Sequence, residues 1–206
     1  HDALRDDRER LKSSYAVRLM PRFIRQGVML ALGYLLCAGA AADERMDLDQ
    51  VTAIAQRAAD NVRSMGVGLS PCIVPRVGHP SFTLGEGEME LGMGIHGEPG
   101  VRRGPLLPAD EVVDEILEKL LADLPVEPGG EVAVLVNGLG ATPLEEQFVL
   151  FRRIHEVLTE KGIRIVKVYV GEFATSMEMA GMSISLFRLD AELKRLLAKP
   201  AATPFW

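Results

Sequence analysis

Residues 131–170 limit the possible fold more than any other stretch of the chain. Glu131-Val132-Ala133-Val134-Leu135-Val136-Asn137 is a short continuous apolar run, the pattern of a strand covered on both faces. It passes through Gly138-Leu139-Gly140 into a helix beginning near Pro143, which suits a first helical turn because it has no N–H to satisfy there. That helix ends near Lys161-Gly162, and Ile163 to Val170 forms the next strand before Gly171. Strand, helix, strand at this spacing is a βαβ unit with a parallel strand pair and a right-handed crossover. The expected class is therefore α/β, with a mixed, partly parallel sheet flanked by helices.

Other elements are read around this unit. Asp47-Leu48-Asp49 opens a helix whose apolar stripe is Val51, Ile54, Ala55, Ala58, Ala59 and Val62, with acidic residues at its N-terminus and an expected stop near Gly66. Glu88 to Ile95 alternates and reads as a strand, while Val112, Ile116, Leu117, Leu120 and Leu121 mark another helix. Pro125, Pro128, Gly129 and Gly130 make a linker; Gly181 to Phe187 is a further alternating strand. A final helix spans Asp190 to Lys199, ahead of the tail Pro200 to Trp206. Asp2 to Gln26 carries Leu4, Leu11, Tyr15 and Leu19 among many charges, predicting a solvated amphipathic helix that Pro21 breaks or restarts. Two parts are thus expected, a charged segment over 1–26 and one α/β domain over 27–206.

Composition excludes several classes. A hydrophobic content of 48% with 25% charged residues is that of a folded protein and not a disordered one. A net charge of −6 opposes general nucleic-acid binding, which needs a basic surface to displace counterions. The apolar stretch Gly27 to Ala42 covers 16 residues, where a bilayer crossing takes about 20. It is read as a buried helix, with no membrane partner and no signal peptide. Cys37 and Cys72 lie in apolar settings without Cys-x-x-Cys spacing, so neither a disulfide nor a thiolate metal site is expected. A reducing cytoplasm suits that pattern.

The run with the most chemical potential is Gly92-Met93-Gly94-Ile95-His96-Gly97-Glu98-Pro99-Gly100, at the end of the alternating segment. Glycines on both sides bare the imidazole of His96, which can then bind a metal, move a proton or attack an electrophile. The alternative is a tight turn that contains a histidine. His79 beside Pro80, His155 on a helix and His1 at the chain start read as surface or packing residues. No His-x-x-x-His pair is present, so no metal ligands are assigned. Asn137-Gly138-Leu139-Gly140-Ala141-Thr142-Pro143 sits where α/β sheets bind anions. It matches neither a phosphate-binding loop nor a dinucleotide fingerprint, so it is read as a structural turn with no nucleotide. The methionines of Gly171 to Gly181 are read as packing residues.

Taken in order, four segments resemble the substrate-binding subunit of dihydroxyacetone kinase: Asn61 to Cys72, Gly92 to Gly100, Asn137 to Gly140, and Phe173 to Gly181. The resemblance covers Gly27 to Trp206, including Thr203-Pro204, and corresponds to the C-terminal half of that subunit. It implies that His96 is both the catalytic and the substrate-binding residue, holding a short hydroxyketone as a hemiaminal through a ring nitrogen. Glycerol has no carbonyl and is excluded by that bond; the resemblance also implies a place in glycerol metabolism.

The family's first half carries a Gly-His-Glu-Pro segment with a general-base histidine and an Asn-Tyr-Thr-Gly-Asp segment with an aspartate. Neither occurs in this sequence. The resemblance therefore implies a partner that supplies the missing N-terminal half if the enzyme is split. It implies a second partner, a nucleotide-bearing kinase subunit or domain, which carries ATP or phosphotransferase-derived phosphate with magnesium, none of them bound by this chain. A homodimer is implied by the same analogy. The competing reading from a different class is a non-catalytic hydroxyketone sensor or scaffold half-subunit.

Overall fold

A computed structural model describes residues 28–93 and 100–202. The expected charged helix over 1–26 and the last four tail residues lie outside the described residues. Six strands form one sheet: β1 (Val62–Gly68), β2 (Glu88–Leu91), β3 (Arg102–Pro105), β4 (Glu131–Gly138), β5 (Arg164–Gly171) and β6 (Gly181–Leu189). Their order is β3-β2-β1-β6-β4-β5. Only β4 and β5 run parallel; the other neighbours are antiparallel. The helices are α1 (Val28–Asp43), α2 (Leu48–Asp60), α3 (Ala109–Asp123), α4 (Leu144–Glu160) and α5 (Ala191–Leu197). The expected mixed, partly parallel sheet with flanking helices is thus the observed architecture, and β4-α4-β5 is the expected βαβ unit.

Pleating assigns side chains to the two layers. On β4 and β6, Val132, Val134, Val136, Met182, Ile184 and Leu186 face α3 and α4, meeting Ile116, Leu117, Leu150 and Ile154. Their neighbours Ala133, Leu135, Phe187 and Leu189 face α1, α2 and α5, meeting Cys37, Ile54, Ala58 and Leu193. Both strands are covered on both faces, which is why β4 is apolar without alternation.

Two boundaries differ from the expected ones. The helix opened by Asp47 stops at Asp60, not near Gly66, and Val62 begins β1 instead of closing the helical stripe. Its start is a capping box, with the Asp47 carboxylate accepting from the Gln50 amide at 2.9 Å and the Gln50 side chain accepting from the Asp47 amide at 3.0 Å. Its end is set by Asn61, whose side chain donates to the Arg57 carbonyl at 2.8 Å. Residues 62–68 then pair along β6 from Phe187 back to Gly181, and this pairing overrides the helical spacing of Val62 and Met65. The second difference is β2, which ends at Leu91 because Gly92 turns the chain with φ +79°. Strand β3 has no strand signal in Arg-Arg-Gly-Pro and exists through its hairpin with β2.

Helix α1 corresponds to the apolar stretch, and over its described side chains from residue 35 onward it is buried on one side. Cys37, Ala40 and Ala41 are covered, while Leu35 is 54% exposed. Among the described residues, no helix is long and apolar enough to cross a membrane. Both cysteines are free and buried. The Cys37 thiol sits 3.8 Å from the Leu193 carbonyl, and burial, with the nearby Asp190 carboxylate, pushes its pKa up to about 12. Iodoacetamide at pH 8 is accordingly expected to label Cys37 only after denaturation, as read by peptide mass mapping. Labelling of Cys37 in the native chain would contradict this packing.

Candidate functional site

His96 lies outside the described residues, as do its neighbours from Gly94 to Pro99. The described residues on either side show how the run is attached to the sheet. On the entry side, the Gly92 amide donates to the Gly66 carbonyl of β1 at 2.7 Å. A Cβ placed on Gly66 would lie 3.0 Å from the Met93 carbonyl oxygen and 3.6 Å from the Ser183 Cβ. Met93 therefore passes closely over the face of β1 and β6 on which these small residues stand.

On the return side, the Val101 amide donates to the Leu91 carbonyl at 2.8 Å. The Gly100 amide donates to Glu90 Oε1 at 2.6 Å. The second oxygen of Glu90 accepts from Arg103, at 2.6 Å from Nη2 and 3.2 Å from Nε. Glu90 is only 7% exposed. Burial works to raise its pKa, but the Arg103 guanidinium and the Gly100 amide outweigh it and hold the carboxyl below its usual range. Glu90 is therefore ionised at neutral pH.

The face beneath Met93 is small and polar. Ser64 and Ser185 stand opposite each other on β1 and β6, their hydroxyls 2.6 Å apart. Ser183 is 5% exposed, and its hydroxyl has no hydrogen-bond partner among the described residues. A buried hydroxyl without a partner is costly.

The other segments singled out in the sequence come together at the ends of β4 and β6. Asn137, fully buried, donates to the Ala174 carbonyl at 2.9 Å and accepts from the Phe173 and Ala174 amides at 2.8 and 2.9 Å. Gln147 on α4 donates to Glu172 at 2.9 Å, and Thr142 both donates to and accepts from the Gly181 backbone at 2.7 and 2.9 Å. Partial burial raises the Glu172 pKa against the opposing pull of the Gln147 and Gly140 bonds. Leu139 donates its amide to Gly181 and Ala141 to Met179, both at 3.1 Å, while the Gly140 amide bonds Glu172. The amides of residues 139–141 are therefore committed to the fold.

Cys72 joins the same junction, packed with Leu139 and Met179. Met179 is a packing residue, as read from the sequence, whereas Met177 is 51% exposed with φ +52°. His79 and His155 are exposed. His155 packs edge-on against Phe151. Among the described residues, no group of three His, Cys, Asp or Glu side chains is placed to hold a metal ion.

A cavity of ≈ 200 Å³ opens between β1 and α4, lined by Val67, Leu69, Leu106, Val149 and Met182. Its walls are mostly apolar, with Thr142 and Glu146 as the polar lining residues. Of the residues that shape the His96 run, Glu90 and Ser183 carried no functional reading in the sequence. Glu90 was visible only as one polar position in an alternating strand, and Ser183 likewise.

The model of the Dak1 domain matches residues 22–205. The chain is 48% identical over 182 residues to the dihydroxyacetone-binding subunit DhaK of PTS-dependent dihydroxyacetone kinase 2 from Listeria innocua, covering 88% of this chain and 55% of that protein. It is 43% identical to L-erythrulose kinase from Pectobacterium atrosepticum, covering 87% of this chain and 31% of that protein. Among solved structures it is similar to the dihydroxyacetone kinase operon co-activator Dha-DhaQ, with a TM-score of 0.77 and 29% identity over 84% of this chain and 54% of that one. The chain spans about half the length of the first and third of these proteins and a third of the second.

Proposed function

The chain belongs to the Dak1 domain family, and on that premise we propose that it is a component of dihydroxyacetone phosphorylation that holds a short hydroxyketone covalently on His96. A ring nitrogen of the neutral imidazole adds to the ketone carbon and forms a C–N bond. The C=O π pair moves onto oxygen, which takes up a proton, and the ring's other nitrogen loses its own, so the hemiaminal is neutral. The tethered molecule then presents a terminal hydroxyl to the phosphoryl donor, and fixing its position supplies much of what phosphoryl transfer needs from this subunit.

The observation that carries this reading is the glycine-bounded histidine run of 92–100 in a chain of this family. The substrates in the relatives' names add support. Dihydroxyacetone and erythrulose are both ketones with a hydroxyl on the neighbouring carbon. An attack on the ketone carbon accepts either chain length.

The donor, ATP or phosphotransferase-derived phosphate, and its magnesium belong in this reading to a partner subunit. The committed amides of 139–141 favour that division of labour. The family's first half supplies the general base, as a separate partner if the enzyme is split, and a second copy of the chain completes a homodimer.

A second reading has one observation in its favour, the similarity to a protein described as an operon co-activator. In it the chain binds the hydroxyketone as a sensor without turnover. Intact-mass spectrometry under mild conditions with dihydroxyacetone tests the reactive histidine: an adduct is expected on the wild type and none on His96→Ala. An equal adduct on both, or none on the wild type, removes His96 from the account. A coupled assay with the nucleotide-bearing partner and magnesium then separates the two readings, because adduct without phosphorylated product is the sensor's signature.

A further inference from the structure

We propose that Glu90 is a positioning residue for His96: through the Gly100 amide its buried carboxylate fixes where the histidine run rejoins the sheet. This deepens the reading above and rests on His96 being the covalent nucleophile. A carboxylate is expensive to bury unless both oxygens are satisfied. Glu90 divides its oxygens, one to Arg103 directly across the β2–β3 hairpin and one to the backbone of the histidine run. The Arg103 partner is itself half in solvent, so an ion pair for stability alone gives no reason to bury the carboxylate.

The fit between Glu90 and Gly100 is specific. A Cβ on Gly100 would lie 2.8 Å from Glu90 Cγ and 2.3 Å from the Leu91 carbonyl oxygen. Only a residue without a side chain lets the amide come within reach of the carboxylate while Val101 pairs with Leu91. With Gly92 bonded to Gly66 at the other end, the segment is held at both attachments to the sheet. Covalent addition requires the attacking nitrogen near its ketone in a narrow range of distances and angles. A run that includes Gly94 and Gly97 is entropically costly to hold there unless its ends are fixed.

The test is a titration of the full chain with dihydroxyacetone, followed by intact-mass spectrometry, beside melting curves of each variant. Glu90→Ala is expected to weaken adduct formation about tenfold or more, since misplacement of a reacting group by about an ångström has effects of this order. Glu90→Gln keeps an oxygen for the Gly100 amide and is expected to stay within about threefold of wild type. Arg102→Met removes the neighbouring β3 ion pair with Glu115, whose Nε–Oε1 distance is 3.0 Å, and lowers the melting temperature without changing the adduct.

Loss of adduct in Glu90→Ala with rescue in Glu90→Gln supports the proposal. Overturning it takes either an unchanged adduct in Glu90→Ala or a loss in Arg102→Met that follows melting temperature in the same way. His96→Ala is run alongside: an adduct as strong as wild type there refutes the histidine reading and this inference together. No adduct in His96→Ala with full adduct in Glu90→Ala refutes only the role of Glu90.

Discussion

Replacing Asn137 by leucine lowers the free energy of unfolding by about 3–5 kcal/mol. Leucine is close to asparagine in size, so the loss comes from hydrogen bonding and not from a cavity. The substitution leaves the Phe173 and Ala174 amides and the Ala174 carbonyl without the partner they have at the end of β4. An unpaired group costs about 1–3 kcal/mol when fully buried, and less at 173 and 174, which are half-buried. The three are adjacent and relax partly together, so their sum is an upper bound. Urea denaturation followed by circular dichroism reads the difference; a loss below about 1 kcal/mol would mean that the 171–181 connection does not depend on Asn137.

Gly140→Ala is expected to cost about 3 kcal/mol or more, from a combination of overpacking and backbone strain. Gly140 has φ +128°, where an L side chain is strained, and its Cβ would lie 1.8 Å from the Met177 carbonyl oxygen. That carbonyl cannot swing aside cheaply. Ser176 donates its amide to Leu139 at 2.8 Å and Met179 to Ser176 at 3.0 Å, so the crossing of the two connections moves as a unit. Gly39→Ala is the matching control, because Gly39 is an exposed position of α1 with nothing within 4 Å of a new Cβ. It should stabilise by about 0.5–1 kcal/mol through helix propensity and a less free unfolded chain. Opposite signs in the same denaturation assay support the geometry, and equal small effects would contradict it.

The parts of the fold that could be read from the sequence are those whose burial imposes a pattern. Strand β4 is covered on both faces, so Val132 to Val136 had to be apolar without alternation, and the helix and strand after it followed from Pro143 and Gly162. Strand β1 was hidden because Val62 and Met65 continue the helical spacing of α2. Its extended state depends on pairing with residues 181–187, more than a hundred positions away. Strand β3 was invisible for a similar reason, since Arg102 to Pro105 has neither strand propensity nor alternation and forms against β2.

The site divides the same way. His96 stands out by residue type and by its glycines. Glu90 does not, because its task comes from a hairpin that brings Gly100 and Arg103 to one carboxylate. Asn137 was legible as part of a turn, but its three bonds to 173 and 174 come from the parallel pairing of β4 with β5, which sets the following connection beside it.

The most direct measurement uses nuclear magnetic resonance on the chain with nitrogen-15 in its histidines and dihydroxyacetone carrying carbon-13 at the carbonyl. A hemiaminal on His96 predicts a tetrahedral carbon signal with a one-bond coupling to imidazole nitrogen, present in the wild type and missing in His96→Ala. A tetrahedral carbon without that coupling is only the hydrate of the free ketone. No coupled signal in the wild type, or a coupling that survives in His96→Ala, would contradict the account.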